Sequence, residues 1–208
     1  MPPSPVADAI LNALDATSWD QADHVRARDA AALAITVYTG HTRDQGTPYL
    51  HHPLAVVSIL RNELAVSAPN TLLLGLLHDA LELSPTSAAT VATHLGEDYL
   101  GQLQAMTPDH RLEQRPKQPG DEAAWYGKTA RLAPDGLLVR LADRVHNLRD
   151  LRNSPNAGRR ERFVAGLVAF YLPLADEARR MNAHLDAACT LLRAEYERYQ
   201  QDTQEVRV

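Results

Sequence analysis

Apolar residues along the chain recur at helical spacing, and no stretch alternates apolar and polar as a half-buried strand does. Ala30, Ala31, Leu33, Ala34 and Val37 mark one helix face. A second helix is expected after Pro53, through Leu54, Val57, Leu60 and Leu64, with proline in its first turn. A third spans Leu72 to Leu81 with Asn70 as its N-cap. Ser84-Pro85-Thr86 breaks the pattern; a helix over Ala88 to Leu95 then stops at Gly96, and a short one follows over 97–107. Residues 108–120, PDHRLEQRPKQPG, read as a loop, either functional or a surface connection. Helical pattern returns over Glu122 to Leu132, Leu137 to Leu151, and Arg160 to about Tyr199, where Pro173 should kink or split the run. Residues 200–208 read as a frayed tail. The expectation is one all-α domain over 1–208, its core about 25–195.

Composition narrows the class. The chain has 208 residues, 45% apolar and 23% charged, which suits a soluble protein with a substantial core. A net charge of −5 argues against general nucleic-acid binding but leaves room for a local arginine cluster around a small anion. The single cysteine, Cys189, excludes an internal disulfide, points to a reducing compartment and reads as a small buried hydrophobe. The N-terminal stretch MPPSPVADAILNALDA lacks the basic start of a signal peptide, and no apolar run approaches the ~18–20 residues that cross a bilayer. The expected location is cytoplasmic, with no membrane partner. Leu167, Val168, Phe170 and Leu174 with Leu185, Leu191 and Leu192 pack internally or form a subunit face, so monomer and homodimer both stay open.

Three places carry metal-capable groups. His51-His52 ends a loop and precedes Pro53, which biases His52 away from helical dihedrals. His78-Asp79 follows the apolar run 72–77, and Glu82 lies one turn further on. Two such groups left unpaired in an apolar setting would cost several kcal/mol, so a partner is required. Asp143, Asn147 and Asp150 form a polar stripe beside the apolar face Leu138, Leu141, Ala142, Val145, Leu148 and Leu151, bordered by Arg140 and Arg144. The stripe is either a solvated face or a metal ligand with phosphate-binding arginines. Together His52, His78, Asp79 and Asp143 offer two nitrogen and two oxygen donors, a set that suits Mn²⁺, Fe²⁺ or Zn²⁺. His146 reads as a hydrogen-bonded structural histidine.

Three ordered blocks, RDQGTPYLHHPLAV at 43–56, LLHDALE at 76–82 and VRLADRVHNLRDL at 139–151, resemble the hydrolase domain of RelA/SpoT homologues, within the HD-domain phosphohydrolase superfamily. The family forms are RxxGxPYxxHP, HDxxED and KLADRxHNxR. The resemblance covers about residues 25–195 and is closest to the stand-alone small alarmone hydrolases. It implies an HD-domain helical bundle with a metal site between helices, and Mn²⁺-dependent removal of the 3′-diphosphate of ppGpp or pppGpp, a small-molecule nucleotide substrate. By position it implies His52, His78, Asp79 and Asp143 as metal ligands, Glu82 as the first acid of the catalytic pair, Arg43 as the arginine packing on the nucleotide, and Asn147 near the ribose.

The chain departs from the pattern at Leu83, where the family carries a second acid, at Arg140 in place of a lysine, and at Tyr38 and His41, where His and Gln are frequent. In the mechanism these residues suggest, Glu82 takes the proton of the attacking water, Arg140, Arg144 and Lys128 neutralise the diphosphate, Arg43 lies on the guanine ring, and Arg115 and Lys117 close over the ligand. The alternatives are the same site acting on ppApp or NADPH, and a nucleotide-binding sensor weakened by Leu83.

Overall fold

A computed structural model describes residues 4–205. The described chain folds as thirteen α-helices: α1 (Pro5–Leu14), α2 (Gln21–Tyr38), α3 (His51–Ser58), α4 (Pro69–Leu77), α5 (Ala80–Leu83), α6 (Ala88–Leu95), α7 (Glu97–Ala105), α8 (Asp109–Leu112), α9 (Asp121–Thr129), α10 (Pro134–Leu151), α11 (Ala157–Gly166), α12 (Leu172–Ala178) and α13 (Ala183–Glu205). Two π-helical turns, Ile59–Glu63 and Leu167–Tyr171, follow α3 and α11 directly. The described residues hold one isolated β-bridge, Thr42 with Pro48, and no strand.

Helix α10 is the centre of the bundle. Its apolar face, Leu138, Leu141, Ala142, Val145, Leu148 and Leu151, is fully buried, and it packs against α13, α4 and α3. Each buried leucine stabilises the fold by about 1.5–3 kcal/mol, so this one face anchors three neighbours. Asp143, Arg140 and Asn147 on the adjoining stripe are buried too, which rules out the solvated-face reading. In α4, Leu72 to Leu77 are buried on every side, as in a helix enclosed by the core. Gly75 lets α3 and the turn after it come close: a Cβ there would meet Leu60 Cδ1 at 2.6 Å and Val57 of α3 at 3.6 Å.

Several expected boundaries shift, each for a local reason. Helix α4 begins at Pro69, with Ala68 at the cap; Asn70 instead accepts from Arg26 Nη2 and donates to Gln102. The run 72–81 is not one helix, because it breaks at His78-Asp79, where Asp79 leaves helical geometry (φ −101, ψ 2). His52 is helical despite Pro53, since the proline falls in the first turn of α3 and removes no N–H that the helix needs. The 108–120 stretch contains the turn of helix α8. The C-terminal run divides at 179–182, after α12, rather than at Pro173, which sits in the first turn of α12. Helix α13 continues to Glu205, so the expected tail is helical that far; 206–208 lie outside the described residues. Cys189 is buried as expected. No described helix is long and apolar enough to cross a membrane.

Candidate metal centre and cavity

The break between α4 and α5 makes the site. On a continuous helix the side chains of His78 and Asp79 would point about 100° apart. The turn at Asp79, held by Glu82 and Leu83 N–H groups donating to the Asp79 carbonyl, brings His78 Nε2 within 3.2 Å of Asp79 Oδ2. From α3, His52 Nε2 stands 3.1 Å from His78 Nε2 and 3.4 Å from Asp79 Oδ2. From α10, Asp143 Oδ1 is 3.2 Å from His52 Nε2 and 3.8 Å from His78 Nε2. Separations of this size are edges of a coordination shell with arms of about 2.1 Å. His52, His78 and Asp143, all buried, converge as closely as ligands of one ion, and Asp79 stands at their side.

The surrounding layer fixes which atoms face the common point. His78 Nδ1 lies 2.8 Å from the Gly75 carbonyl, which only a protonated Nδ1 can satisfy, so Nε2 presents its lone pair. His52 Nδ1 lies 2.8 Å from His146 Nδ1. Burial, with His52 and Arg43 nearby, lowers the pKa of His146 to about 4, so a neutral ring faces His52; in the tautomer where His52 donates, its Nε2 is likewise free. Asp143 Oδ2 accepts from Arg140 (2.9 Å) and Arg144 (2.5 Å), and Asn147 Nδ2 donates to Oδ1. Tyr49 donates its hydroxyl to Asp79 Oδ2 at 2.8 Å. Burial opposes ionisation of Asp79 and Asp143, yet the histidines and, for Asp143, the arginines outweigh it and hold both carboxyls well below the usual range. The same two carboxylates raise the His52 pKa against its burial. The point between them is a place for positive charge.

Glu82, on α5, lies further out and is partly exposed. Burial and the Asp79 carboxylate raise its pKa, while Arg140 and Arg111 pull it down. Beside it opens a cavity of about 630 Å³, lined by Arg111, Arg144, Arg162, Trp125, Phe163 and Tyr171 among others. Arg144 lies over the rings of Tyr171 and Phe163, at 4.8 and 5.3 Å from their centroids.

The residues expected to contact substrate separate spatially. Arg144 lines the cavity. Arg140 is buried behind Asp143, donating also to the Met106 carbonyl at 2.6 Å and lying over Trp125. Arg43 is held by Asp150 (2.6 Å) and Asn147 (2.7 Å), next to the metal layer through Asn147. The tight turn that presents it needs Gly46 at φ +83, where the Gly46 N–H donates to the Arg43 carbonyl. Lys128 donates to the Thr107 carbonyl (2.8 Å) and to Asp109 and does not line the cavity. Arg115 pairs with Asp121; Lys117 reaches the cavity wall. Leu83 lines a separate cavity on the far side of α5, with Thr36, His41 and His94. Sequence reasoning gave no role to Tyr49, Arg111, Trp125 or Phe163; Tyr49 lies inside the first motif block, and the others carry no periodic signal.

The HD domain family model matches residues 30–179. The bifunctional (p)ppGpp synthase/hydrolase SpoT of Escherichia coli (strain K12) is 30% identical over 167 residues, 79% of this chain and 23% of that protein. The guanosine-3′,5′-bis(diphosphate) 3′-pyrophosphohydrolase MESH1 of Drosophila melanogaster is 31% identical over 143 residues, 68% of this chain and 77% of its own length. The mouse protein of that name is 33% identical over 116 residues, 55% of this chain and 62% of its own. The chain thus spans under a quarter of the length of the bacterial relative. A solved structure described as a metazoan ortholog of SpoT that hydrolyzes ppGpp shares the fold, with a TM-score of 0.66 at 23% identity over 86% of this chain and 96% of the other.

Proposed function

This chain belongs to the HD-domain family, and from that premise we propose that it removes the 3′-diphosphate of guanosine alarmones, releasing GDP or GTP and diphosphate, with Mn²⁺ as its metal. The observation that carries the reading is the shared aim of the two imidazoles. Both Nδ1 atoms are engaged behind them, and both Nε2 atoms face Asp143 Oδ1 and Asp79 Oδ2. Two nitrogens and two hard oxygens suit Mn²⁺ better than a thiolate-seeking metal.

His52, His78, Asp79 and Asp143 would hold the ion. When bound it supplies Lewis acidity toward a phosphoryl oxygen and toward water. Glu82, the carboxylate at the cavity edge, accepts the proton of the attacking water. Arg144 has one face on Asp143 and another in the cavity, so it neutralises charge on the diphosphate while keeping its ligand in place. The leaving ribose 3′ oxygen takes up a proton as diphosphate departs. Trp125, Phe163 and Tyr171 give the cavity an apolar wall against which the nucleoside excludes water. Arg43 and Asn147 brace the ligand layer from behind, and neither lines the cavity beside Glu82.

The test is chelation followed by restoration with Mn²⁺, with diphosphate release measured from ppGpp, pppGpp and ppApp, and phosphate release from NADPH, under the same conditions. The reading expects metal-dependent release from the guanosine substrates. Tight ppGpp binding without release would instead support a sensor, and preferential turnover of ppApp or NADPH would move the substrate assignment.

A further inference from the structure

We propose that Arg111 is a positioning residue, which holds the Glu82 carboxylate at the angle and depth from which it accepts a proton. The proposal rests on the reading of Glu82 as the base. Arg111 Nε is 3.5 Å from Glu82 Oε1, and both side chains line the 630 Å³ cavity. Among the described residues no hydrogen bond reaches the Glu82 carboxylate, and Arg111 is its single ion-pair partner. Glu82 stands on α5, four residues long, with a side chain about one-third exposed. Left alone it samples several rotamers, and fixing it opposes up to ~2 kcal/mol of side-chain entropy. The neighbouring residue, Leu83, faces the other cavity and gives the Glu82 carboxylate no support.

Arg111 can do this because the segment that carries it is braced at both ends. Lys128 ties Thr107 and Asp109 to α9. Arg115 forks onto both oxygens of Asp121, at 2.7 and 2.8 Å, and Asp121 also accepts from the Gln118 N–H. The turn of α8 therefore sits fixed over α5, and the Arg111 guanidinium reaches Glu82 from a stationary support. The pair is too exposed to matter for folding, since such pairs contribute about 0–1 kcal/mol. Its effect belongs to geometry at the cavity edge.

Kinetics on the Mn²⁺-loaded enzyme test this. Arg111→Ala lowers kcat about tenfold, part of the roughly 10²–10⁴ a general base supplies, and leaves KM near its starting value. Arg111→Lys restores part of kcat, since an ammonium keeps the charge but not the planar fork. In a Glu82→Gln background Arg111→Ala has no further effect. A raised KM at unchanged kcat, or an equal loss of kcat in the Glu82→Gln background, overturns the proposal. A second measurement needs no turnover. The carboxyl ¹³C resonance of Glu82, assigned by its loss in Glu82→Gln, shifts in Arg111→Ala and returns toward its position in Arg111→Lys; an unmoved resonance overturns the proposal. If the unaltered protein releases no diphosphate from any alarmone, the functional reading fails while this resonance still decides Arg111.

Discussion

Asp143 divides its two oxygens between two tasks. Oδ2 takes the arginines Arg140 and Arg144, and Oδ1 faces the histidines. Removing the side chain would leave the buried Arg140 and the half-buried Arg144 without their carboxylate, a loss of the order of 3–5 kcal/mol, so Asp143→Asn is the cleaner probe than Asp143→Ala. Asp143→Asn is expected to reduce bound metal, read by elemental analysis after dialysis, to background while the far-ultraviolet helical signal persists. Tyr49→Phe removes the hydroxyl that orients Asp79 and is expected to weaken metal affinity about 10–100-fold in a competition titration, the usual range for such supports. Leu83→Asp is expected to leave turnover unchanged, because position 83 faces a cavity away from the site. At this scale the closeness of His52, His78 and Asp143, with Asp79 beside them, was legible in the sequence because each stands inside a motif block. His146 is hydrogen-bonded as expected, but its partner His52, 94 residues away, and that of Tyr49, 30 residues away, are contacts no local pattern encodes.

Elements place these residues by where they stop. The helix periodicity of α2, α6 and α10 read directly into structure, whereas the starts of α4 and α10 at Pro69 and Pro134 lie ahead of the expected Asn70 cap and of Leu137. The decisive break, between His78 and Asp79, has neither proline nor glycine to announce it; it arises because both side chains turn toward groups on α3 and α10. The short helix α8 was hidden for the opposite reason, since the prolines around it suggested a plain loop. Close helix approach is testable at Gly75. Gly75→Ala drives a Cβ into Leu60, and overpacking of this kind costs about 1–3 kcal/mol, readable as a lower urea midpoint with an unchanged slope. At the other end of α10, Arg149 bridges Glu63 and the buried Glu195 of α13. The Arg149 hydrogen bond holds the Glu63 carboxyl below its ordinary 4.5. A depressed carboxyl contributes its stability above the unfolded-state value and loses it on acidification. Arg149→Gln is therefore expected to lower the melting temperature at pH 7 more than at pH 3.

Across the whole molecule, the groups proposed to hold the metal come from α3, from the α4–α5 turn and from α10, so ion binding would join parts far apart in sequence. Without a cation, two buried carboxylates and two imidazoles face one another among apolar helices. Ligand-linked stability follows: Mn²⁺ at about 100 times its Kd stabilises by about 2.7 kcal/mol, and chelator is expected to lower the melting temperature accordingly. The direct measurement is anomalous diffraction at the manganese edge from crystals grown with Mn²⁺. One peak bounded by His52 Nε2, His78 Nε2, Asp79 and Asp143 Oδ1 is the predicted result. A map with no peak there, or with Mn²⁺ held only elsewhere, would contradict the convergence on which the whole functional account stands.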